Sequence, residues 1–176
     1  MIVRDFTDTA GMRSAAIFSD CERYRYRLWR EWDRGKGAIA FLMLNPSTAD
    51  ERVNDPTIER CQRRAVAMGY GRLEIVNLFP LRATDPAVMM ADADPVGPRG
   101  RADGAILDAV SAASITVCGW GNHGGHLGRA DAVTRIIALV GLRNRLHALK
   151  ITGKGHPQHP LYVGYSVKPK RIEWWE

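Results

Sequence analysis

Apolar runs along this chain stop abruptly at Asn, Gly, His or Pro. Phe41-Leu42-Met43-Leu44 gives way to Asn45-Pro46-Ser47, and Ile75-Val76 to Asn77-Leu78-Phe79-Pro80. Val117-Cys118 gives way to Gly119-Trp120-Gly121-Asn122-His123, and a fourth stop of the same kind reads His156-Pro157-Gln158-His159-Pro160. A parallel α/β sheet takes its ligand in the crevice outside the carboxyl ends of its strands. Four such stops therefore predict polar groups converging on one site.

The runs themselves predict the elements. Residues 38–44 form a continuous apolar stretch of the kind found in buried parallel strands, and 73–77, 115–120 and 146–151 read as three more. Helices alternate with them. Asp55 can cap and Pro56 can open a helix whose buried stripe is Ile58, Cys61, Ala65 and Met68, with Gly69 ending it. Arg60, Arg63 and Arg64 fall off that stripe and are read as solvated. Thr84-Asp85-Pro86 reads as the loop and cap of a further helix, residues 92–100 as a Pro/Gly-rich loop, and 101–112 and 129–140 as amphipathic helices. Near the start, strands at 13–18 and 24–29 flank a turn at Ser19-Asp20-Cys21-Glu22. There Tyr24, Tyr26 and Leu28 alternate with Arg23, Arg25 and Arg27, predicting one apolar face and one positive, solvated face.

Strand alternating with helix implies βαβ units. The expected fold is a three-layer α/β/α domain with a central, mostly parallel four-stranded sheet and an N-terminal β-hairpin. One domain is expected over 1–176, with the hairpin at about 12–32 and the core at about 38–172.

Composition narrows the class. At 176 residues the chain can bury a core without metal or disulfide staples. Cys21, Cys61 and Cys118 are odd in number and widely spaced, so no disulfide framework or zinc knuckle is suggested. The net charge of +6 points toward a polyanionic partner. No signal-peptide core or bilayer-length apolar run occurs, so a cytoplasmic protein with no membrane contact is expected.

Each stop carries candidate chemistry beside a plain structural role. Asn45 can orient a water through its amide oxygen, or simply turn the chain with Pro46. Asn77 can read the edge of a base or amide, or bond its own loop. Phe79 can stack on a planar ligand, or fill the core. The glycines of 119–128 would let backbone amides approach an anion before a helix, although the segment matches neither dinucleotide nor P-loop patterns. His123/His126 and His156/His159 share an H-x-x-H spacing without a carboxylate in register, so no metal is expected. His156, in a Gly/Pro-rich loop, is the candidate catalytic histidine. Trp174-Trp175 reads as a packing anchor for the tail.

Two resemblances rest on these residues. Asn45-Pro46-Ser47-Thr48-Ala49-Asp50, Asp55-Pro56-Thr57 with Arg60-Cys61, and Asn77-Leu78-Phe79 with Arg82-Ala83-Thr84-Asp85-Pro86 resemble the domain of unknown function 1643 family of bacteria and phages. A more distant likeness is to the uracil-DNA glycosylase superfamily, followed motif by motif along the sheet. Leu44-Asn45-Pro46 is similar to its first motif, in the variant with Asn for the water-activating Asp. Asn77 falls at its base-reading Asn. Trp120-Gly121-Asn122-His123 resembles the segment closing its third strand, and His156-Pro157 its His-Pro loop. Gln158-His159-Pro160 departs from the Ser that usually follows there, and the stacking Phe after the first motif has no counterpart.

The second resemblance implies a glycosylase-like fold and hydrolysis of the N-glycosidic bond of a uracil-like or modified base, in nucleic acid or a nucleotide. Asn45 and His156 would be catalytic. Pro46, Ser47, Asn77, Phe79, Asn122 and His123 would bind the base or ligand, and Arg82, His159 and Lys168 would contact nucleic acid. No cofactor is implied. The alternatives are a non-catalytic nucleotide or nucleic-acid binding module using the same cleft, and a metal-dependent hydrolase using the histidine pairs.

Overall fold

The computed structural model describes residues 1–173, so the Trp174-Trp175 anchor lies outside the described residues. Strands β1 (Ile2–Thr7), β2 (Arg13–Phe18) and β3 (Arg25–Glu31) precede β4 (Ala38–Met43). Then follow α1 (Pro56–Ala67), β5 (Arg72–Asn77), α2 (Pro86–Ala91), α3 (Arg101–Ala112), β6 (Ile115–Cys118), α4 (Arg129–Leu139), β7 (Leu146–Ala148) and β8 (Lys170–Arg171). Asp55 caps α1 by accepting the Ile58 N–H at 2.9 Å, with Pro56 in the first turn.

All eight strands form one sheet in the order β1-β2-β3-β5-β4-β6-β7-β8. The expected four-stranded sheet is too small. Strands β5, β4, β6 and β7 are parallel neighbours, but β3 pairs antiparallel with β5 (Leu28 opposite Ile75), and β8 pairs antiparallel with β7. The N-terminal hairpin is thus the second and third strands of a meander, β1-β2-β3, that extends the sheet rather than sitting beside it. The edge strands escape sequence reading for a physical reason: β1 is only half buried, and β8 is two exposed residues.

The predicted positive face of β3 is also corrected. Ile17 pairs with Arg27 and Phe18 with Arg25, so Tyr26 is the extra residue of a bulge and the period of two is broken there. Arg25 is buried instead of solvated, Arg27 pairs with the buried Glu74 at 2.8 Å, and Arg30 further along the strand is buried as well. Burial lowers Arg25 to about 10, which leaves it charged at neutral pH.

Helices cover both faces. On one, Leu42, Val76 and Cys118 pack with Ile106 and Val110 of α3 and Val133 and Ile137 of α4. On the other, Phe41, Ile75 and Val117 pack with Ile58, Cys61 and Ala65 of α1. The chain runs from β4 outward to β5, then crosses back over β4 to β6. The strand order therefore reverses at β4, the place where such sheets bind ligands.

Candidate active site

A cleft of about 890 Å³ opens at that reversal, a size within the range of small-molecule sites. Its wall is built from the segments following β4, β6 and β7, from the start of α1, from the loop entering α2, and from residues 158–162. These segments are held to one another by backbone and side-chain bonds.

After β4, parallel pairing continues as Leu78 and Phe79 donate to the carbonyls of Met43 and Leu44 at 2.8 and 2.9 Å. The Asn45 amide nitrogen donates to the Ala83 carbonyl at 2.8 Å and to the Pro46 carbonyl at 3.2 Å. The Ala83 N–H returns a bond to Pro46 at 2.9 Å, and Ser47 meets the Thr84 hydroxyl at 3.4 Å. Both Asn45 donors are committed to backbone, so its amide oxygen is the group left for a ligand or water. The rest of this loop is anchored from below. Arg25 donates to the Ala49 carbonyl at 2.7 Å, and Arg30 to the Asp50 carbonyl at 2.5 Å and the Asn54 side chain at 3.1 Å.

After β6, Trp120 lies on the wall and is 2% exposed. A Cβ on Gly124 would fall 2.0 Å from its Cδ1, so only glycine lets the 3₁₀ turn that begins at Asn122, in a segment kinked at His126 and Leu127, close over the indole. Residues 150–158 form a tight hairpin, with Thr152 N–H donating to the His156 carbonyl at 2.8 Å and Gln158 N–H to Lys150 at 2.8 Å. The Thr152 hydroxyl donates to the Asn122 side-chain oxygen at 2.7 Å, joining the two loops. Beyond the hairpin, His159 caps the turn Pro160–Tyr162: its Nδ1 accepts the Leu161 N–H at 3.3 Å. That bond fixes the neutral tautomer with its proton on Nε2. Burial holds the His159 pKa below the usual imidazole value, with Asp55 opposing the shift.

The comparisons with known proteins add one finding. A family model for proteins of unknown function (DUF1643) matches residues 25–161, which contain every residue of the cleft wall except Tyr162. The chain belongs to the DUF1643 family. No curated protein and no solved structure matches it.

In this DUF1643 chain the cleft gathers Asn45, Ser47, Asn122, His123 and His159 of the residues singled out in the sequence. It does not gather the others. Asn77 is buried at the end of β5 opposite Met43, its amide nitrogen without a protein partner among the described residues. Phe79 is fully buried, with its ring 5.6 Å from that of His126, and serves the core. Pro46 is buried behind Asn45. Arg82 donates to the Glu22 carbonyl at 3.3 Å and lies over the Phe18 ring, on the side of the meander. Lys168 is exposed and off the cleft wall. His156 packs beside Gly125 and is absent from the wall, because the hairpin turns its side chain toward the 3₁₀ turn.

The wall also holds Asp55, Lys150, Thr152 and Tyr162, for which sequence reasoning had no functional role. Asp55 was fully accounted for as a helix cap. Lys150 and Thr152 belong to a loop read for His156 alone. Apart from Asp55 and Lys150, the described lining consists of amides, hydroxyls, imidazoles, rings and apolar groups. Such a wall suits a planar, uncharged polar ligand better than a cluster of phosphates, which calls for several basic groups. Among the described residues no group of three or more His, Cys, Asp or Glu converges where it could hold a metal ion. Among the described residues no helix is long and apolar enough to cross a membrane.

Proposed function

We propose that this chain hydrolyses the N-glycosidic bond of a uracil-like or modified base, presented by nucleic acid or as a nucleotide. The observation that carries the reading is the pairing, on one cleft wall, of an Asn45 side chain whose donors are both engaged with a neutral His159 whose Nδ1 is engaged. The free Asn45 oxygen can orient a water toward the sugar C1′. The His159 Nε2–H can donate to the negative charge that develops on the departing base. Fixed donors aimed at developing charge supply the largest share of such catalysis. His159 takes the role first read for His156, because it is the histidine of that loop on the wall.

The motif order along the sheet, with Asn45, Asn77, Asn122 and the His-Pro loop following β4, β5, β6 and β7, supports a glycosylase-like arrangement at the level of resemblance. A base inside a duplex must leave the stack to enter such a pocket, and the net charge of +6 favours approach to a polyanion. A second reading, a binding module that retains its ligand, is favoured by one observation. Asn stands at the end of β4, and an amide is no base.

The test is incubation of purified protein with single- and double-stranded oligonucleotides bearing uracil, hydroxymethyluracil, hypoxanthine and other modified bases, with released base read by mass spectrometry. Asn45→Ala and His159→Ala are each expected to lose about 10²–10³ in turnover with folding intact. Stoichiometric retention of an oligonucleotide without release would instead establish the binding module.

A further inference from the structure

The proposed reaction lacks a base. Water attacks C1′ as the glycosidic bond breaks, and its proton must go somewhere that an amide cannot supply. Asp55 is the one carboxylate among the described residues of the cleft wall. Its Oδ1 accepts the Ile58 N–H at 2.9 Å as the cap of α1, and its Oδ2 has no hydrogen-bond partner among the described residues. Capping needs one acceptor. The second oxygen remains, on the same wall as Asn45 and His159. The residue is 9% exposed, so it is shielded from bulk water yet reaches the cleft.

We propose that Asp55 is the general base of this site, a role that rests on the glycosidase reading above. Asn45 holds the water and Asp55 Oδ2 takes its proton. The water oxygen bonds to C1′, the C1′–N bond breaks, and its electron pair leaves on the base. His159 Nε2–H stabilises that anion, which is then protonated from solvent, and Asp55 returns its proton to solvent. The helix cap thus fixes the base: the bond to Ile58 orients the carboxylate, and the buried β3 arginines hold the loop that carries it.

Substitution separates the two duties of Asp55. Asn and Ser cap helices about as well as Asp, but neither accepts a proton. Asp55→Asn and Asp55→Ser should therefore keep the folded state and lose about 10²–10⁴ in turnover on the oligonucleotide panel described above. The pH–rate profile supplies a readout that capping would not move. The groups facing Asp55 are Arg25 and Arg30 from β3, Cys61 from α1 and His159 from the following turn. All of them are present in both Asp55 variants. Wild-type turnover should fall on the acid side, and the residual rate of Asp55→Asn should keep only the part of that fall that disappears in His159→Asn. Base release by Asp55→Asn and Asp55→Ser at wild-type rate and with a wild-type pH profile, beside an inactive Asn45→Ala, would overturn the assignment of Asp55 and leave the reaction standing. No release by the wild-type protein from any oligonucleotide would overturn both.

Discussion

The Nη2 of Arg64 lies 2.6 Å from the carbonyl oxygen of Val163, a residue 99 positions further along the chain. The same guanidinium donates to Gly164 at 2.7 Å and Val167 at 3.0 Å, while Arg60 donates to Pro160 at 2.9 Å and again to Val163 at 2.6 Å. Helix α1 carries Asp55 at its start, and the strap it grips carries His159 and Tyr162. Two arginines therefore fix the position of the strap, with His159 and Tyr162, against the helix that begins at Asp55.

Arg64 is 2% exposed, so replacing it removes three hydrogen bonds from a buried charged donor, although Val163 keeps its bond from Arg60. Arg64→Met should destabilise the protein by about 3 kcal/mol, because hydrogen bonds from a charged donor contribute more than neutral ones. For a chain of this size that is a fall in Tm of about 6–12 °C. Amide hydrogen exchange should accelerate in 160–167 beyond the global change. Uniform acceleration over the whole chain would show that the strap is not held by this residue.

His159 makes stability depend on pH in a definite direction. Burial holds its folded-state pKa below the ordinary 6.5, so between the two values the unfolded chain binds a proton that the folded chain does not. Stability then rises with pH. The contribution is fully present above about 6.5 and is lost as pH falls toward the folded-state value. His159→Asn keeps a capping acceptor for the Leu161 N–H and should flatten Tm between pH 7 and pH 5. A proton NMR titration of His159 should give a midpoint below that of an exposed histidine. A midpoint at or above 6.5 would refute the half-buried neutral imidazole, and with it the donor role.

Local signals made the central part of this arrangement readable. The switch from apolar strand to Asn-Pro or Trp-Gly-Asn marks strand ends with no need of distant information, and Asn45, Asn122 and His123 do sit where β4 and β6 finish. The errors have long-range causes. Arg64 looked solvated because its acceptors lie 99–103 residues away. Arg25 looked exposed because the bulge at Tyr26 depends on how β2 pairs, which β3 alone does not encode. His156 and His159 are equivalent as letters in a loop. Which of them faces the cleft is decided by the 150–158 hairpin and by the bond from Gly121 N–H to the Pro157 carbonyl at 2.8 Å. Asn77 and Phe79 follow a strand end like the others, but β5 is flanked by β3 on its far side, so its end is covered rather than open.

Two neighbouring glycines offer a matched test of how the cleft floor is built. On Gly124 a Cβ would meet Trp120 at 2.0 Å from Cδ1 and 2.6 Å from Nε1, closer than any real contact. On Gly125 the nearest atom would be His156 Cε1 at 3.7 Å, an ordinary van der Waals distance. Gly124→Ala should therefore push the indole out of its seat and cost about 1–3 kcal/mol, as overpacking does. Gly125→Ala should be nearly silent, since neither its space nor its backbone forbids a methyl group. The Trp120 indole N–H resonance, assigned by its absence in Trp120→Phe, reports the outcome directly. It should shift in Gly124→Ala and hold its place in Gly125→Ala. Since Trp120 forms part of the wall shared with Asn45 and His159, Gly124→Ala should also weaken any ligand of the cleft, while Gly125→Ala should bind it normally. An unshifted resonance in Gly124→Ala would mean that the turn, rather than the ring, gives way.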